Sequence, residues 1–188
     1  MEVYDKKRIK PTILEILSSF GKRFIDTLSY IEMNYKNFSS FSDNYALLIQ
    51  SIGAELDAAF KIYCNYKTSE RRNIQDYINA IEYEESNAVQ KYTVNHRFRN
   101  QKIIALAYNV HIQPFRGWNI QSPVQSLKWW RAFNKLKYNR FENRKLVNQG
   151  NAVNILGALY FLEMKMLKRL QKELMILIYL QMNRSCLL

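Results

Sequence analysis

Thirteen residues, Lys128-Trp129-Trp130-Arg131-Ala132-Phe133-Asn134-Lys135-Leu136-Lys137-Tyr138-Asn139-Arg140, constrain this chain more than any other stretch. At about 100° per residue, Trp129, Phe133 and Leu136 fall on one side of a helix, and Arg131, Lys135 and Tyr138 fall on the opposite side. The segment therefore predicts a helix with a dry face and a charged, wet face. A dry face carrying that much aromatic surface has to be covered by other helices.

The rest of the chain supplies them. Its 188 residues are 48% hydrophobic with only 5 Gly and 3 Pro, a composition that predicts an ordered, helix-rich fold, and a chain of this length buries about 70% of its unfolded surface in one core. The expectation is a single all-α domain over 1–188, a bundle of four to five helices behind a basic leader at 1–10. Helical spacing of apolar residues places the first helix over about 11–34, where Gly21 suggests close packing. It places the second over about 42–65, with Leu48, Ile52, Leu56, Ala59 and Tyr63 inward and Gly53, Ala54, Ala58 and Ala59 admitting a close neighbour. Ile74, Tyr77, Ile78 and Ile81 predict a third helix over about 70–84. Ser122-Pro123-Val124-Gln125 has capping-box spacing, so the basic helix is expected over about 123–143. The last, capped by Asn151, is expected to extend to about 183. Between Tyr92 and His111, alternating residues around Arg99-Asn100 predict a short irregular or two-stranded insertion near 90–113.

Charge is unevenly placed. The chain is +12 overall, yet residues 91–145 hold 12 Lys/Arg against one acid, while residues 1–90 hold 11 against 13. An excess confined to the segment with the amphipathic helix points to a polyanion, most simply RNA.

Other chemistries find no residues. Cys64 and Cys186 are far apart in apolar contexts without a CxxC spacing, which predicts reduced, buried thiols; His96 and His111 have no acidic or cysteine neighbours to make a metal site. No metal and no cofactor are expected, and Walker, GxGxxG, HExxH and GxSxG patterns do not occur. The apolar run Leu174–Leu180 is far shorter than the ~20 residues of a bilayer span, and the charged start Met1–Arg8 lacks the apolar core of a secretion signal. A cytoplasmic location is expected.

The same thirteen residues resemble the signature helix of a branch of the HEPN superfamily, approximately Trp-Trp-x-x-Tyr-Asn-Lys-(Val/Leu)-Lys-His-x-Arg. The matches are Trp129, Trp130, Asn134, Lys135, Leu136, Lys137 and Arg140, with Phe133 in place of the aromatic Tyr and Tyr138 where the branch has its catalytic His. Two further stretches are similar in the same order: Ile52-Gly53-Ala54-Glu55-Leu56-Asp57 to an Ile-(Gly/Ser)-x-Glu-Ile-Asp element, and Pro114-Phe115-Arg116-Gly117-Trp118 to a Pro-Phe-x-x-Trp element. The resemblance implies a small helical domain of a defence or toxin–antitoxin system that cleaves RNA without a metal. It also implies a homodimer and an antitoxin or defence-system protein as partner. Arg131 and Tyr138 take the positions of the catalytic pair; Asn134, Lys135, Lys137 and Arg140 become RNA contacts, with Glu55 as a supporting carboxylate. Glu55 lies about 60° from the centre of its helix's apolar face, so it is expected half buried beside a cation.

A phenol does not titrate near neutral pH as imidazole does. Tyr138 therefore suits hydrogen bonding to phosphate or stacking on a base better than proton transfer. Three functions remain open on the sequence: RNA binding with weak or altered cleavage, RNA binding by a catalytically dead dimer, and a helical protein-interaction module.

Overall fold

Apolar residues at helical spacing go inside where the period puts them. Leu48, Ile52, Leu56, Ala59 and Tyr63 are all buried, on the inner side of α2 (Asp43–Tyr63). Ser42 opens that helix, its hydroxyl accepting the Asn44 N–H at 3.2 Å, which satisfies one of the donors a helix start leaves over. The computed structural model describes residues 6–87, 98, 99 and 101–185. Asn100, His96 and Cys186 lie outside them.

The architecture is the expected all-α bundle with a short two-stranded insertion. Its elements are α1 (Lys6–Thr27), α2, α3 (Ile74–Asn87), β1 (Ile103–Ala105), β2 (Val110–Ile112), α4 (Pro123–Ser126), α5 (Lys128–Tyr138) and α6 (Gln149–Ser185). The long α6 is the spine: α1, α2 and α5 all pack on it, and α5 also packs on α2. The antiparallel strands pair Ile103 with Ile112 and Ala105 with Val110. They turn through Asn109, whose φ of 49° is a left-handed conformation that asparagine tolerates. The hairpin thus reverses at 106–109, and the turn expected at Arg99-Asn100 is a separate one, with Phe98 and Arg99 in a turn and the Gln101 N–H bonded to the Phe98 carbonyl at 3.4 Å.

Several boundaries differ from the sequence expectation, each for a local reason. α1 starts inside the basic leader and stops at Thr27, where the Thr27 hydroxyl donates to the Phe24 carbonyl at 2.6 Å and the chain tightens into i→i+3 bonds such as Leu28 N–H to Ile25 O. α3 starts at Ile74 because Asn73 caps it reciprocally: its side chain accepts the Gln75 N–H, and the Asp76 carboxylate accepts the Asn73 N–H, both at 2.8 Å. α6 is capped by Asn148, not Asn151; the Asn148 side-chain oxygen accepts the Asn151 N–H at 2.9 Å.

The basic helix differs most. The expected single helix over 123–143 is broken at Leu127, which is extended (φ −108°, ψ 97°) and 1% exposed. Burying that side chain takes precedence over helical continuity. Ser122 forms no capping box; its N–H and hydroxyl both donate to the Asn119 side chain. At the other end α5 stops at Tyr138, because Asn139 turns extended and engages the chain ahead of it: its side chain accepts the Glu142 N–H, and its carbonyl accepts the Asn143 amide at 2.7 Å. Asparagine side chains compete with the helix ladder in this way.

Gly53 is the point where α2 and α5 touch. A Cβ there would fall inside the van der Waals envelope of the Phe133 ring, so the close approach foreseen for this helix is real at Gly53. Ala54 is exposed, and among the described residues nothing lies within 4 Å of a Cβ at Gly21; neither marks a close helix approach there. Cys64 is half buried, its thiol 4.0 Å from the Tyr77 carbonyl. No helix among the described residues is long and apolar enough to cross a membrane.

Candidate nucleic-acid interface

The inner face of α5 is an aromatic joint. Trp129, Trp130, Ala132, Phe133 and Leu136 are all buried. Trp130 meets Phe60 of α2, Tyr77 of α3, Trp129 and Phe133 edge-to-face, with ring centroids 5.5 to 6.5 Å apart, a geometry the ring quadrupoles favour. The Trp129 indole N–H donates to the Pro114 carbonyl at 2.6 Å. That bond fixes the turn Pro114–Trp118, with its buried Phe115 and Trp118, against the start of α5. The two tryptophans of the motif thus hold the helix and its neighbouring turn in place.

With that face committed, the polar residues are turned outward. Arg131, Lys135, Lys137 and Tyr138 are exposed, and Tyr138 is 89% exposed. Arg131 and Lys135 have no hydrogen-bond, ion-pair or ring partner for their side chains among the described residues. The Lys137 ammonium lies over the Phe133 ring, 4.0 Å from its centroid, so part of its charge is spent on the fold. Asn134 is half buried, and its amide donates to the Trp130 carbonyl at 3.2 Å. Arg140 lies beyond the helix end in an ion pair with Asp43 at 3.1 Å. Of the expected contacts, Arg131, Lys135 and Tyr138 form one open face, while Asn134 and Arg140 are engaged elsewhere.

Glu55 departs from expectation in its partner. It is half buried on α2, but among the described residues no cation pairs with it; its carboxylate instead bears electrostatically on Glu163 of α6. Glu163 is 1% exposed and one of its carboxylate oxygens has no hydrogen-bond partner. Burial, and secondarily the Glu55 carboxylate, push the Glu163 carboxyl up to about 8. Glu55 therefore lies near enough to Glu163 for the two carboxyls to interact between α2 and α6. Their 108-residue separation along the chain hid the pair from any local pattern.

Three features of the surface were not visible as site residues in the sequence. Phe141 is 91% exposed just past the end of α5; the expected helix to 143 concealed it. The Arg144 guanidinium stacks on Phe41, 5.0 Å from the ring centroid. Arg116 and Lys128 join Arg131 along one cleft of about 560 Å3. The signal for these cations was the near absence of acids from residues 91–145.

Among the described residues, no three His, Cys, Asp or Glu side chains gather as a metal site. No family model, curated protein or solved structure matches the chain.

Proposed function

We propose that this chain binds single-stranded RNA along the outward face of α5 and the turn that follows it. The observation that carries this reading is the coincidence of uncovered aromatic rings with uncompensated cations: Tyr138 and Phe141 are 89% and 91% exposed, in a segment holding 12 cations and one acid. A fold gains nothing from leaving two large rings in water. Unpaired bases stack on such rings for about 1–3 kcal/mol each, and phosphates follow the cations. Duplex bases are stacked on each other and offer no such surface, which favours a single strand.

Cleavage is the finer part of the reading. Metal-independent scission needs a group that takes a proton from the 2′-hydroxyl and another that protonates the leaving oxygen. Arg131 and Tyr138 both point outward on α5, about 10 Å apart along its axis, but a guanidinium and a phenol supply charge and a hydrogen bond rather than proton transfer. The α5 face is thus equipped first for binding. Replacing Tyr138→His is expected to raise cleavage of a labelled RNA above the wild-type level. A homodimer, which the resemblance implies, would bring two such faces together; sedimentation at the 22.5 kDa of one chain would remove that part and leave RNA binding untouched.

The test is fluorescence anisotropy of a labelled oligouridylate between about 50 and 200 mM salt. The expected result is a linear fall of log affinity with log salt, with slope of about −0.7 per phosphate contact. Affinity independent of salt would overturn the proposal and favour the protein-interaction alternative, whose contacts are apolar.

A further inference from the structure

The cleft at the N-terminal end of α5 is a second feature of the basic surface, and its composition is unusual. Its charged lining consists of Arg116, Lys128 and Arg131, with no acid, and its remaining polar walls are largely amides, including Gln113 and Asn154. None of the three cations has an ion-pair or ring partner among the described residues. Three like charges facing one space repel each other until an anion enters.

The cleft is built by the fold rather than by chance rotamers. The Trp129–Pro114 hydrogen bond at 2.6 Å fixes the turn that carries Arg116. The break at Leu127 sets Lys128 and Arg131 three residues apart at the start of α5, hence on neighbouring positions of one rim. The cap and start of α6 also line the cleft, with Asn148, Gly150, Asn151 and Asn154. That helix start does not itself offer donors: the N–H groups of Gln149, Gly150 and Ala152 bond to the carbonyls of Ser40, Phe38 and Asn148, and that of Asn151 bonds to the Asn148 side chain. Recognition of an anion therefore falls to the side chains.

We infer that this cleft binds a phosphomonoester of nucleotide size. A phosphomonoester dianion matches converging guanidinium and ammonium groups, two of them able to grip it bidentately. A volume of about 560 Å3 is well beyond one phosphate and within the ~300–1,000 Å3 of small-molecule sites; the amide walls then face the nucleoside. The phosphomonoester has two sources, a free nucleotide or the terminal phosphate of an RNA strand. The inference does not rest on RNA binding by the α5 face: Arg131 belongs to both, but Arg116 and Lys128 line the cleft outside that face.

The test is calorimetric titration at low ionic strength with AMP, adenosine, and a short RNA bearing either a 5′-phosphate or a 5′-hydroxyl. The proteins compared are the wild type, Arg116→Ala, Lys128→Ala and Tyr138→Ala, each checked for folding by circular dichroism. AMP is expected to bind and adenosine to bind at least about tenfold more weakly. Arg116→Ala and Lys128→Ala should each cost AMP about tenfold, with Tyr138→Ala leaving it unchanged. If AMP fails while the 5′-phosphorylated RNA binds more tightly than its 5′-hydroxyl form, with the same dependence on Arg116, the strand end is the source and the phosphomonoester assignment stands. The inference is overturned if AMP binds no more tightly than adenosine and a 5′-phosphate adds no affinity to the RNA, or if both cleft substitutions leave phosphate-dependent binding intact. Tyr138-dependent RNA binding without any phosphomonoester effect would sink this inference alone.

Discussion

The two faces of α5 share one backbone and eleven residues, yet they stand in opposite relations to the fold. On the inner face every large group has a partner: Trp130 packs edge-to-face among four rings, Phe133 fills the space above Gly53, and the Trp129 indole N–H is bonded to Pro114. On the outer face Arg131, Lys135 and Tyr138 are exposed, and the two cations are unpaired among the described residues. Folding accounts for the first arrangement completely and for the second not at all. The motif therefore has two separable halves, one committed to packing and one free to meet a ligand.

The largest effect that would sharpen this contrast comes from the inner face. Trp130→Ala removes the ring that joins α5 to α2 and α3, and should cost about 3–5 kcal/mol in denaturant unfolding; a loss under about 1 kcal/mol would mean the aromatic joint is not what holds the helix.

Next in size is the buried group that packing does not satisfy. The Glu163 carboxyl titrates at about 8 when folded and near ~4.5 when unfolded, so between those values the native state holds a proton that the unfolded state has released. Stability therefore falls as pH rises from about 4.5 to 8 and levels off above, by an amount on the order of a few kcal/mol. Glu163→Gln should flatten this dependence and raise the melting temperature at pH 8 more than at pH 4. An equal change at both pH values would show that folding does not shift the carboxyl's pKa, and a larger loss at pH 8 than at pH 4 would show it ionised and paired in the fold.

A smaller loss is expected at the helix contact. Gly53→Ala drives a methyl into the Phe133 ring and should destabilise by about 1–3 kcal/mol, again visible in unfolding and absent from any outer-face change. The outer face should do the reverse. Tyr138→Ala with Phe141→Ala should shift stability by no more than about 0.5 kcal/mol while weakening oligouridylate binding by about 1 kcal/mol or more for each stacked base lost. A large drop in melting temperature would place those rings in the fold and erase the distinction between the faces.

The inner face was legible in the sequence because burial repeats with the helical period: Trp129, Phe133 and Leu136 could be assigned from spacing alone, as could the inner residues of α2 and α3. What spacing could not show is where long-range burial and asparagine hydrogen bonds interrupt a helix. Leu127 and Asn139 set the ends of α5, and both ends shape the surface: one brings Lys128 and Arg131 to the cleft, the other uncovers Phe141. Arg131, Lys135 and Tyr138 were legible as a common face, whereas the engagement of Arg140 by Asp43 and the meeting of Glu55 with Glu163 depend on tertiary neighbours that no local pattern contains.

On the proposed reading RNA is held by the α5 face and not by the overall charge of +12. The most direct measurement compares oligouridylate affinity, at one low salt concentration, for two variants that remove the same charge. One is Arg131→Glu with Lys135→Glu; the other is Lys22→Glu with Arg71→Glu, at exposed positions on α1 and in the α2–α3 loop. The first variant is expected to lose at least about tenfold more affinity than the second. Equal losses would contradict it, because binding would then follow net charge alone.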